Sequence, residues 1–193
     1  MNIFALSRCP VESAEQMIDK HVVKMPTESC QMLHTNNLYF HYKSVYGTEP
    51  SLKELKEFHA YINSNLMKPA MLNHPSTIWA RTTKANYMWL YKHALALCEE
   101  YSYRYKKVHG TERRILHSEV YEADPKNASP VSIAMADEYR LPQEKHTWDF
   151  VIRSYRHYYR EGKWSFAYWL RRDNPEWFPV SFIVSKIRGV SNE

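Results

Sequence analysis

Residues 10–39 read PVESAEQMIDKHVVKMPTESCQMLHTNNLY, and this stretch decides the fold class. Val11, Ala14, Ile18, Val22 and Met25 recur at spacings of three and four, the period of a helix with one buried face. Pro10 fits the first helical position, where a missing amide costs nothing. Pro26 removes an amide and crowds the carbonyl of Val22, so it predicts a kink or an end there. Helical pattern resumes from Thr27 to about Tyr39.

The same period recurs outward from this segment. Ser51 reads as the cap of a helix running to about Met67. The two prolines of 68–81 predict a structured loop with a short helix. A long helix is expected from Thr83 to His109, stopped by Gly110, then a shorter one from Thr111 to about Tyr121. Residues 122–132 (EADPKNASPVS) are the clearest loop. Helices follow over 144–161 and through WSFAYWLRR (164–172), and the tail SFIVSKIRGV predicts a strand or a packed extension. Residues 1–6 (MNIFAL) predict a short strand or an extended lead-in. Alternation at period two is otherwise weak, so the expectation is an all-α, single-domain helical bundle over residues 1–193.

The 193 residues are 44% hydrophobic and 24% charged, with four glycines, values of a folded globular chain. Cys9, Cys30 and Cys98 form neither a CxxC pair nor an even set, which predicts a reducing compartment, the cytoplasm. No apolar run has the length of a membrane span, and the first ten residues lack a signal-peptide core. The formal charge of +5 is spread over both halves. It permits nucleic-acid binding without demanding it.

Four polar groups carry candidate chemistry. In DKHVVKMPTESC (19–30), His21, Lys24 and Glu28 share a helical face at i, i+3, i+7. Lys24 is a candidate amine nucleophile or stabiliser, Glu28 or Asp19 a candidate acid/base. Equally, Lys24 and Glu28 form a surface pair contributing about 0.3–0.5 kcal/mol. In NHPSTIWAR (73–81), His74 is held extended before Pro75 and offers a proton donor. Asn73, Trp79 and Arg81 offer substrate contacts there: a stacking ring and an anion clamp. In EEYSYRYKKVH (99–109), Glu99, Tyr103, Arg104, Lys107 and His109 combine charge with aromatic rings, as phosphate and base contact requires. In 153–177, Arg153, Arg156 and Arg160 fall on one helical face, followed by Arg171, Arg172 and Trp177, a strip suited to nucleic-acid phosphates.

No phosphate-binding glycine loop, nucleophile elbow or zinc motif is present, so neither cofactor nor metal is expected. A metal held by His21, His74 and Asp19 is the one alternative.

Taken together, DKHVVKM, NHPSTIWAR, EEYSYRYKKVH and DNPEWF resemble a family of small proteins encoded by tailed bacteriophages. Proteins of this kind include pyrimidine-specific DNA glycosylases and enzymes that modify thymine in DNA. The resemblance implies a role in DNA metabolism in the infected bacterial cytoplasm and transfers no residue role. The expectation is an enzyme acting on a base in DNA, extruded from the duplex for reaction. Two alternatives stand beside it: a non-catalytic protein that grips nucleic acid or a host protein, and a small nucleotide-processing enzyme.

Overall fold

A computed structural model describes residues 2–190. Its α-helices are α1 (Pro10–Glu15), α2 (Asp19–Tyr46), α3 (Leu52–Tyr61), α4 (Pro75–Thr82), α5 (Lys84–Tyr105), α6 (Glu112–Ile115), α7 (Trp148–Gly162) and α8 (Val180–Val190). Among the described residues there is no strand, and no helix is long and apolar enough to cross a membrane.

Helix α5 is the axis of the bundle. Trp89, Leu90, Ala94, Leu97 and Cys98 on it are buried, and α1, α2 and α4 pack around it. Val22, Met25, Met32 and Leu33 supply the facing side of α2. From α7, Val151, Tyr155 and Tyr159 close the core. A smaller cluster of Leu38, Tyr39, Leu55 and Leu72 seats α3 on the far half of α2.

Helix α2 runs unbroken through Pro26, where the sequence predicts a kink or an end. The break falls earlier, at 16–18. Proline removes the amide that the Val22 carbonyl would accept from, and next to it the Val23 carbonyl accepts from the His109 ring nitrogen Nε2 at 3.0 Å. Residues 3–6 are buried and extended rather than a strand. Side chains satisfy their backbone: Leu6 N–H donates to Ser13 Oγ at 3.0 Å, and the Leu6 carbonyl accepts from Arg156.

Three further boundaries differ from the sequence reading. Helix α5 stops at Lys106, which adopts φ +55°, rather than at Gly110. Helix α3 stops at Tyr61, short of Met67. The segment WSFAYWLRR forms only a 3-10 turn over Trp164–Phe166. Beyond that turn its backbone is tied to the start of α2: Asp19 N–H donates to the Tyr168 carbonyl, and Leu170 N–H donates to the Asp19 carboxylate. Those tertiary bonds outweigh local helix propensity. The tail forms α8.

Candidate functional site

The only carboxylate of the long helix beyond Asp19 is Glu28, and it meets the start of the chain. Its Oε2 accepts from the main-chain nitrogen of Asn2 at 3.0 Å, and its Oε1 lies 2.9 Å from Lys24 Nζ. The Glu28 side chain is 15% exposed and that of Lys24 68%, so the pair opens on solvent from a half-buried carboxylate. Asn2 is fixed by three further contacts. Its Oδ1 accepts from Tyr155 Oη at 2.9 Å and from Ile3 N at 2.8 Å, while Nδ2 donates to the Ala134 carbonyl at 2.6 Å.

His74 belongs to this corner electrostatically. Burial lowers its pKa, the positive charge of the amino terminus lowers it further, and the Glu28 carboxylate raises it. It caps α4, with Nδ1 accepting from Ser76 N–H at 3.1 Å. A neutral ring therefore carries its proton on Nε2. Among the described residues the buried Ser76 hydroxyl has no hydrogen-bond partner.

Several sequence-derived candidates occupy other places. Asp19 and Glu28 are nine residues apart, about two and a half helical turns, and so project from opposite faces of α2. Asp19 accepts from Arg104 at 2.7 Å. Arg104 is fully buried and also donates to Glu100 at 2.6 Å and to the Glu15 carbonyl at 2.9 Å. Arg172 completes this network through Glu100 and Glu15. His21 is buried, stacked on Phe4 at 4.1 Å and bonded to Tyr159 Oη at 2.6 Å. Burial, then Lys163 and Lys24, drive its pKa down to about 3, so it is neutral.

Trp79 is buried, donating to Ser129, and Arg81 donates to the Leu72 carbonyl at 2.6 Å with its guanidinium over Tyr39. Asn73, Glu99 and Lys107 are exposed. Tyr103 donates to the Arg171 carbonyl and lies under Arg172. His109 is spent on the α2 backbone.

Arg153, Arg156 and Arg160 do share one face of α7, bordering a concavity of about 530 Å³ with Trp177. Arg153 is paired with Glu144 and Asp149, Arg156 with the Leu6 carbonyl, and Arg160 sits over Phe182 at 4.7 Å. Trp177 donates to Gln16. Arg171 takes a left-handed conformation at φ +61°. Among the described residues no group of three or more His, Cys, Asp or Glu is arranged to hold a metal ion.

Sequence reasoning missed Asn2. Its one signal was a polar residue heading an otherwise apolar, buried run. What the structure brings together is therefore Asn2, Lys24, Glu28 and His74, a carboxylate with two nitrogen donors beside a neutral imidazole. Such a group can accept a proton from an attacking amine and steady a cationic sugar.

No curated protein and no solved structure matches the chain. The family model described as pyrimidine dimer DNA glycosylase matches residues 1–112, more than half of the sequence, a span that holds α1 to α5 and all four of these residues. The chain belongs to the pyrimidine dimer DNA glycosylase family.

Proposed function

We propose that this protein excises bases at pyrimidine dimers in DNA through an amine and the Glu28 carboxylate. The observation that carries the reading is Glu28 held between Lys24 Nζ and the Asn2 nitrogen within the family-matched span. In this reading a neutral amine attacks C1′ of the damaged nucleotide. The C1′–N1 bond breaks with its electron pair leaving on the base, which takes up a proton from water. Glu28 accepts the proton shed by the amine and faces the positive charge on the sugar. His74, with its proton on Nε2, donates a hydrogen bond to the departing base rather than acting as an imidazolium acid. The sequence resemblance supports a phage origin and a place of action in the infected bacterial cytoplasm.

Lys24 is the side-chain amine nearest the carboxylate. A second reading is favoured by the Asn2 contact and by the terminal charge acting on His74. In it the chain's own α-amino group attacks, and Lys24 stays paired with Glu28.

Borohydride reduction in the presence of dimer-bearing duplex tests both. A covalent adduct on the Lys24 peptide supports the first, and an adduct on the amino-terminal peptide the second. Glu28→Gln is expected to bind DNA while losing roughly 10²–10⁴-fold in turnover. DNA binding with no adduct and no broken glycosidic bond at the dimer, or full turnover by Glu28→Gln, overturns the catalytic reading.

A further inference from the structure

Most arginines near α2 and α7 already have a carboxylate or carbonyl partner. Arg113 and Arg114 do not: among the described residues their guanidinium groups make no hydrogen bond or ion pair, and both side chains are exposed. With His117, Asn65 and Leu66 they line a concavity of about 530 Å³ beside α2.

The walls of this concavity are fixed by α2 itself. On one side His109 Nε2 donates to the Val23 carbonyl, and the Thr27 and Thr111 hydroxyls meet at 2.9 Å. On the other side Ala70 N–H donates to Thr35 Oγ1 at 3.2 Å. The buried His34 braces both walls at once. Its Nε2 donates to the Arg114 carbonyl and its Nδ1 accepts from Met67 N–H, each at 2.9 Å. Gln31 of α2 also reaches the far rim, its Nε2 donating to the Lys68 carbonyl at 3.5 Å.

His34 stands six residues beyond Glu28, about 9 Å along the helix. A nucleic-acid strand advances about 3.4 Å per nucleotide along its axis, so a strand lying parallel to α2 covers that rise in two to three nucleotides. A rigid recess with two unpartnered guanidinium groups suits a phosphodiester, which arginine grips through paired donors.

Resting on the glycosylase reading above, we infer that Arg113 and Arg114 hold a DNA backbone phosphate two to three nucleotides from the nucleotide at Glu28. The site pins the strand in register while the chemistry proceeds at Glu28 on α2.

Duplex affinity measured against salt tests this, using wild type, Arg113→Gln/Arg114→Gln and a charge-matched control, Lys53→Gln/Lys56→Gln on α3. Each neutralised phosphate contributes about 0.9 to the slope of log affinity against log salt, so the arginine pair should lower it by up to about 1.8 and the control should leave it unchanged. Matching thermal midpoints establish that both variants fold. Single neutral methylphosphonate linkages, scanned on either side of the dimer, should weaken wild type at two to three nucleotides and leave the arginine variant indifferent there. Equal slopes for all three proteins, an equal loss in the control, or methylphosphonate sensitivity confined to other positions overturns this site while leaving excision at Glu28 standing. Wild type that binds no DNA overturns the underlying reading instead.

Discussion

Acidification should unfold this protein through histidines that the core holds neutral, and His93 shows why. It is buried at the centre of α5, its Nδ1 lies 2.8 Å from the Pro10 carbonyl, and its Nε2 is buried without a partner. The carbonyl can only accept, so Nδ1 carries the proton and Nε2 is the atom that must be charged. Burial lowers the pKa from 6.5 to about 4, opposed by the hydrogen bond to Pro10. The folded value lies below the unfolded one, so the neutral ring's full stability is present above pH 6.5 and drains as pH falls toward 4. Between those limits the unfolded chain holds about one more proton, which is a loss of about 1.4 kcal/mol per pH unit. At pH 5 the cost is about 2 kcal/mol from His93, and His21, whose pKa falls to about 3, adds a similar amount. Urea unfolding followed by tryptophan fluorescence at pH 7.5, 6 and 5 reads this directly. His93→Gln keeps a donor for Pro10 and cannot titrate, so its stability should fall by about 1.4 kcal/mol per unit less than wild type over pH 5–6. Identical slopes for the two proteins would refute the assignment.

Further perturbations read out the packing around the site. Arg104→Met removes the cation at the heart of the Asp19–Glu100 network and should cost about 3–5 kcal/mol, a drop of roughly 6–20 °C in Tm, because breaking a buried pair leaves charge uncompensated. Adding Glu100→Gln should recover part of that loss, and a double variant no better than the single would contradict the network. Gly162→Ala places a Cβ 2.8 Å from the Tyr158 ring and 3.0 Å from that of Tyr139, so denaturation should show a loss of about 1–3 kcal/mol. Ser51→Ala breaks the capping box with Glu54 at the start of α3 and should cost about 1 kcal/mol without changing DNA excision.

The all-helical class was legible because apolar spacing survives whatever the tertiary contacts do. Boundaries were less so. Pro26 reads locally as a stop, yet the helix continues through it, with a histidine 83 residues downstream bonded to the Val23 carbonyl beside the gap. WSFAYWLRR has the composition of a helix, yet Asp19 offers its backbone better partners. In each case the deciding group lies far away in sequence, where a periodicity argument over a window of neighbours has no access to it.

The same distinction separates the candidate site from its rivals. Asp19 and Glu28 are both acidic residues of one helix, each close in sequence to a lysine, and nothing local ranks them. The fold sends Asp19 to an arginine 85 residues away, which locks it into structure, and brings Glu28 to the main chain of Asn2 beside open solvent. Cations sort by the same rule. The arginine strip of α7 is the more conspicuous pattern in the sequence, but Glu144, Asp149 and the Leu6 carbonyl occupy two of its three guanidinium groups. Arg113 and Arg114, adjacent and unremarkable in sequence, make no ion pair with a carboxylate among the described residues. A phosphate must compete with whatever already holds an arginine, and displacing a carboxylate forfeits much of the energy the new contact supplies. Free guanidinium groups on α6, whose Arg114 carbonyl His34 of α2 holds, therefore have a stronger physical claim on the DNA backbone than a richer stripe of which two members are already held by their own protein.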